Sequence, residues 1–424
     1  MLPVIADAVA AGHLVQTEIA PPELAADIGQ DGDLVVEHEP ISFISYPYEW
    51  GFEQLRAAAL FHLRFQLWLL ERGASLSDAT AYNVQFRGGK PVFIDALSIV
   101  PYEEGAYWAG YRQFCEQFLN PLLLRALRGI AHNAWFRGAL EGITTEDLAA
   151  TLSLRDKLSF NVLAHVVLLA RLQRSSRATP DKAVRQAGQG RGLSVAAYRG
   201  ILTGLKSWIT RLQPRGGAVT TWGDYAAANS YQPDETTKKA AVITEFVRRR
   251  ELARIIDLGC NSGNYSVAAL DGGAREVVGF DFDQTAVDRA FDRARSLQLP
   301  FLPLWLDAAN PSPDQGWRQK ERDGLATRAK ADGVLALAFE HHLAIGRNIP
   351  LDQVVDWIVE FAPHGIIEFV PKSDPTVQFM LALRPDVFPD YTEQTFREAL
   401  GRRAEIVSTT VVSESGRVLY EYSR

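Results

Sequence analysis

Residues 254–283, RIIDLGCNSGNYSVAALDGGAREVVGFDFD, constrain this chain more than any other stretch. A short apolar run, Ile255 and Ile256, meets a loop with two glycines, Gly259 and Gly263. A helix-compatible segment follows, then a second apolar run at 277–280 that ends on Asp281. This is one β-loop-α-β unit with an acid after each strand, and such units build parallel sheets. In open α/β sheets ligands sit outside the carboxyl ends of the strands. There glycine lets the backbone approach, and a carboxylate can grip ribose hydroxyls. A nucleoside-containing cofactor is the first expectation. A bare DxGxxxG is equally a tight strand-to-helix turn, so the rest of the chain must decide.

Downstream the alternation continues. Residues 284–297 predict an amphipathic helix with Ala286, Val287, Ala290, Phe291 and Ala294 on one side. Strands are predicted at 301–307, 331–339 and 365–370, helices at 351–361 and 392–400, and a closing strand pair at 404–412 and 416–422. The fold class is therefore α/β, a Rossmann-like domain whose mostly parallel sheet carries an antiparallel edge. The third strand again ends in an acid, Asp307, and the fourth is followed by Glu340, His341 and His342. Dinucleotide sites use G-x-G-x-x-G to bring a helix N-terminus onto the pyrophosphate. Here Asn264 and Tyr265 stand where a third glycine would help. A cofactor with a cationic sulfonium and an amino-acid tail tolerates the carboxylates, which points to S-adenosyl-L-methionine. Asp281 lies 18 residues after Gly263, near the spacing of a ribose-binding acid, and Asp307 is placed to accept from the adenine amine.

The N-terminal half reads as a separate α+β, largely helical domain. Strand-like composition appears at 33–39 and 41–45, and helical periodicity runs unbroken through 52–71. Gly88-Gly89 between two short apolar runs reads as a hairpin. Asp78, Asn83 and Asp95 have the spacing of the catalytic loop and metal-binding acid of kinase-like phosphotransferases. However, Leu76 stands where such a loop carries His, and no Lys precedes Lys90 to hold phosphates. The favoured reading is a degenerate kinase-like scaffold; the plainer one is that the three side chains only fix turns. From Tyr107 onward the chain is helical and aromatic, with aromatics at core spacing and further helices near 145–154 and 161–172. The expected division is 1–175 for this domain, 176–235 for a linker and cofactor-capping helical segment, and 236–424 for the catalytic domain.

Composition excludes several classes. A net charge of −7 gives no general affinity for nucleic acid or an anionic membrane, so neither is expected as a partner. The triple Arg248-Arg249-Arg250 reads as a solvated helix C-terminus. Two cysteines, Cys115 and Cys260, make neither a disulfide framework nor a zinc site, and no metal is expected. No uncharged apolar run reaches the roughly 20 residues that span a bilayer. With no basic leader region at the start, a cytoplasmic location is expected.

On these residues the chain resembles a known family. Residues 250–424 look like class I S-adenosylmethionine-dependent methyltransferases through DLGCNSG, VVGFDFD, LWLD and EHH. SYPYEW, DATAYNVQFRGGKPVFID, AYRQFCEQFLNPLLL and IIEFVPKSDPTVQ resemble, more closely, the methyltransferases grouped with the nodulation host-specificity protein NoeA. The resemblance spans almost the whole chain. It implies a cofactor loop of Asp257, Gly259, Cys260, Asn261 and Gly263. Asp281 with Phe282 would lie at the ribose, Asp307 beside the adenine, and Tyr231, with Trp222 and Tyr225, over the cofactor. His341, His342 and Glu340 sit at the sheet's ligand edge, where a base would reach the methyl group. The expected acceptor is a small molecule or modified metabolite, with the N-terminal domain shaping its site. Aminocarboxypropyl transfer, cyclisation of the same cofactor, and a binding module without catalysis are the alternatives.

Overall fold

A computed structural model describes residues 1–21, 23, 35–171, 193–216, 233–382 and 385–424. The chain divides into two compact units, Met1–Gly217 and Ala218–Arg424.

In the first unit the helix Phe52–Leu70 is the core element. Phe52, Leu55, Ala58, Leu63, Phe65 and Leu69 are all buried, because other elements cover it on several sides. One cover is the helix Val195–Thr210, whose Tyr198 hydroxyl accepts from the Gln66 amide at 3.1 Å. Arg56 also donates to the Leu212 carbonyl at 2.8 Å. The segment 193–212 is thus packed into the first unit rather than forming a separate linker piece. The hairpin at Gly88 forms as the glycines predict, with Val84–Arg87 paired antiparallel to Lys90–Phe93 and Gly88 at φ +56°. The strand expected at 41–45 does not form. Instead the Gln85 side chain accepts from the Ser45 amide and donates to its carbonyl, both at 2.9 Å, taking the place of a neighbouring strand.

The second unit is one seven-stranded sheet with helices on it, and its elements are numbered here. The strands are β1 (Arg254–Leu258), β2 (Glu276–Asp281), β3 (Phe301–Trp305), β4 (Gly333–Ala336), β5 (His364–Phe369), β6 (Glu405–Val411) and β7 (Val418–Ser423). The α-helices of five or more residues are α1 (Pro233–Arg250), α2 (Asn264–Asp271), α3 (Gln284–Ser296), α4 (Glu340–Ala344), α5 (Leu351–Val359), α6 (Pro375–Ala382) and α7 (Glu393–Gly401). Strand order is β3-β2-β1-β4-β5-β7-β6. The first five are parallel, while β7 runs antiparallel to both β5 and β6. The apolar runs that predicted these strands are buried on both faces, as a parallel sheet covered by helices requires. Strand order reverses between β1 and β4, which opens a crevice at their carboxyl ends.

The Arg triplet ending α1 is not simply solvated. Arg249 and Arg250 both bind the Glu421 carboxylate of β7, at 2.6 and 2.9 Å, and Glu421 is only 5% exposed. Among the described residues, no helix is long and apolar enough to cross a membrane.

Candidate functional site

The loop between β1 and α2 opens the crevice. Gly259 and Gly263 both adopt left-handed backbone, φ +77° and +85°, which a side chain disfavours. Space demands glycine as well: a Cβ on Gly263 would meet the Phe301 ring at 2.5 Å. Between them Asn261 also takes positive φ, +48°, and its Oδ1 accepts from the Ser262 amide at 2.7 Å. Arg293 of α3 braces the loop from outside, donating to the Ser262 carbonyl and to Asn264 Oδ1 at 3.1 and 2.6 Å.

Each acid at a strand end has a different environment. Asp257 is 1% exposed and accepts from the Ser266 hydroxyl at 2.6 Å. Burial pushes its carboxyl up to about 7, with Asp281 adding repulsion and the Ser266 hydrogen bond opposing both. It fixes the loop to α2 from beneath. Asp281 is partly exposed and accepts the backbone amides of Asn261 and Asp283, each at 2.8 Å. Burial pushes its carboxyl up to about 6, with Asp283 adding repulsion and backbone hydrogen bonds from Asp283, Asn261 and Phe282 opposing. The carboxylate stays partly open, so it can still receive a ribose hydroxyl.

Phe282 extends from the end of β2 with its ring 50% exposed. Trp305 Nε1 donates to the Phe282 carbonyl at 2.8 Å, and the two rings lie 5.9 Å apart. Asp307 is partly exposed, with Arg347 Nη2 at 3.5 Å. The Arg347 guanidinium also stands 5.6 Å from the centre of the Phe282 ring. An apolar ring, a carboxylate and a planar cation thus flank one place, where a purine would find stacking partners and an acceptor. Sequence reasoning missed Arg347, which belongs to no motif, and gave no role to Trp305 of the LWLD strand end; only the fold brings both to Phe282.

Cys260 departs from its expected role. Its side chain is 3% exposed and packs beneath the loop, where a Cβ on Gly279 would meet its sulfur at 2.9 Å. Burial pushes the thiol well up, so it stays neutral, and the backbone amide is already bound to the Phe280 carbonyl. Tyr231, Trp222 and Tyr225 lie outside the described residues.

The Glu340-His341-His342 group also needs correction. Glu340 is wholly buried, and its Oε1 accepts both the Val370 amide at 2.9 Å and the Tyr391 hydroxyl at 2.7 Å. His341 is also wholly buried, its Nδ1 3.4 Å from Glu340 Oε2. Glu340 thus anchors α4 to the end of β5, while His341 Nε2 is buried with no hydrogen-bond partner among the described residues. His342 alone of the three keeps an opening to solvent. Burial, His341 and Arg417 lower its pKa well below the usual value, so the imidazole is neutral at pH 7.

Residues 234–298 match the model of a family described as ribosomal protein L11 methyltransferase (PrmA). Sheet order, glycine loop and strand-end acids together define a class I S-adenosylmethionine-dependent methyltransferase, and this chain is an enzyme of that class. It is 49% identical to the nodulation protein NoeA of Rhizobium meliloti (strain 1021) over 413 residues, which is 97% of this chain and 87% of that protein. The chain belongs to the family of that protein. A ribosomal protein L11 methyltransferase of Shewanella amazonensis is 34% identical over 122 residues, 27% of this chain and 40% of that one. Among solved structures, magnesium protoporphyrin IX methyltransferase from Synechocystis PCC 6803 with bound SAH is similar at a TM-score of 0.34. The identity is 19%, with 52% of this chain and 95% of that chain covered.

Proposed function

We propose that the β1–α2 loop and the ends of β2 and β3 hold S-adenosylmethionine, and that its methyl group goes to a small-molecule acceptor at the ends of β4 and β5. The carrying observation is Asp281. Its carboxylate already organises the glycine loop through Asn261, yet stays partly open. Phe282, Asp307 and Arg347 then take the adenine, while Asp257 and Ser266 keep the loop in shape from below. The cofactor supplies an electrophilic methyl on a sulfonium. The chain's residues supply alignment of the acceptor and exclusion of water, the larger part of catalysis in such a displacement. His342, neutral and partly open, accepts the acceptor's proton or hydrogen-bonds it; Glu340 sets the helix that carries it.

For the first unit we infer a kinase-like scaffold without phosphoryl transfer. Asp78, Asn83 and Asp95 do come together: the Asn83 amide donates to Asp78 at 3.3 Å and to Asp95 at 3.1 Å, and Ser98 bonds both acids. Burial raises the Asp78 carboxyl, with Asp95 adding repulsion and the Ser98 and Asn83 bonds opposing. This knot supports the turn-fixing role, and acceptor selection by the same unit remains part of the proposal. ATP consumption above background that is lost in Asp95→Asn would refute the scaffold reading.

The deciding experiment is calorimetry with S-adenosylhomocysteine on wild type and Asp281→Ala, followed by mass analysis of the turnover product. Binding that disappears in the variant, and S-adenosylhomocysteine as product, are expected. Methylthioadenosine would instead establish aminocarboxypropyl transfer or cyclisation.

A further inference from the structure

Two charged side chains lie wholly inside the second unit and have no part in the site described above. Lys239 of α1 and Glu368 of β5 have side chains 1% and 0% exposed, and Lys239 Nζ donates to Glu368 Oε1 at 2.6 Å. A buried ion pair gains little stability over apolar residues of similar size, so its geometry has to be read for another use. The second carboxylate oxygen supplies one. Glu368 Oε2 accepts from the backbone amide of Ala338 at 2.9 Å. Ala338, just beyond β4, sits at φ +49°, a left-handed conformation that its Cβ disfavours and that persists only when something holds it.

The next residue shows what the turn achieves. The Phe339 ring lies against Gly259, so close that a Cβ on that glycine would meet Phe339 Cδ2 at 3.1 Å. Its centroid is 6.4 Å from that of Trp357 in α5, with planes at 20°, so the ring is backed as well as aimed. Arg417 also approaches Glu368 Oε1, at 3.8 Å, and is itself fixed by two bonds to Asp374, at 2.7 and 2.9 Å.

We propose that the Lys239–Glu368 pair is a positioning device for the cofactor loop. Lys239 holds the Glu368 carboxylate, Glu368 pins the left-handed turn at Ala338, and Phe339 walls Gly259 into its binding shape. The inference rests on the assignment of that loop to S-adenosylmethionine. Neither residue is a catalytic residue; both act through the turn.

The test compares the full chain as wild type, as Lys239→Met/Glu368→Leu, and as that double variant carrying Ala338→Gly. Calorimetry with S-adenosylhomocysteine reads binding, and a thermal melt reads folding. The apolar pair removes both charges together, which buried pairs tolerate far better than loss of one. The double variant is expected to fold and to bind about tenfold more weakly. Ala338→Gly is expected to restore most of that loss, because glycine holds positive φ without a clamp. A purely structural role would shift the melt and give no rescue. Unchanged binding in the double variant overturns the proposal, as does a loss that Ala338→Gly leaves untouched. Should the double variant fail to fold, Glu368→Gln with and without Ala338→Gly reads the same two outcomes. A glutamine can accept from Lys239 with its oxygen but then offers only NH2 to the Ala338 amide. Wild type that does not bind S-adenosylhomocysteine overturns the loop assignment itself, and so is told apart from failure of the clamp.

Discussion

The two halves of the sheet's carboxyl edge use the same residue type to opposite ends. At β2 and β3, Asp281 and Asp307 are partly exposed, and Asp281 is met mainly by backbone amides. At β4 and β5, Glu340 and Glu368 are wholly buried and met by Lys239, Tyr391 and backbone amides. An acid after an apolar strand can meet a ligand only where the fold leaves its carboxylate partly open, as it does for Asp281 and for Asp307 beside Arg347. The open acids are the ones proposed to bind; the enclosed acids hold backbone amides beside them.

The largest effect that separates the halves is on stability. Glu368→Ala strands the buried Lys239 charge away from its carboxylate and is expected to cost about 3–5 kcal/mol, read as a large fall in Tm. Asp281→Ala should leave Tm nearly unchanged while weakening S-adenosylhomocysteine about a hundredfold, the loss of charge-assisted bonding to the ribose. If both variants lost stability equally, the contrast between the halves would collapse.

Acidity sharpens it further. Binding needs the charged form of Asp281, whose carboxyl sits at about 6. Affinity should thus fall about tenfold between pH 7 and pH 5 and become flat in Asp281→Asn, as titration calorimetry would show. The same shifts act oppositely on the ligand-free fold. With Asp257 at about 7 and Asp281 at about 6, both above the ordinary aspartate value of 3.8, the native state binds more protons than the unfolded one across that window. Their contribution to stability is full below the unfolded value and declines as pH rises through about 6 to 7. The smallest effect belongs to Arg347→Ala, about threefold in cofactor affinity, since an exposed cation beside a ring contributes modestly.

The sequence pattern carried the β-loop-α-β unit, the parallel strands and the two open acids, because each is a local signal of period and spacing. It did not carry the fate of Glu340, since nothing near Glu340 announces Tyr391, 51 residues away. Nor did it single out Lys239, which looks like half of a solvent-facing lysine pair and meets its partner 129 residues later. Asn83 and its two acids were legible as a spacing; that their polar atoms bind one another was not. Cys260 shows the same limit in miniature: its place in the loop was evident, and the inward direction of its side chain was not.

The antiparallel strand β7 has a consequence for how the second unit is made. It comes last of the seven in chain order, yet it lies between β5 and β6 and carries Glu421, to which Arg249 and Arg250 are tied. Until Val418–Ser423 has left the ribosome, β5 presents an open edge and β6 has no neighbour to pair with. Completion of this sheet is therefore a late, long-range event in synthesis. A nascent chain halted before Val418 would display an unpaired apolar strand, the kind of surface that chaperones hold and that truncated chains aggregate through.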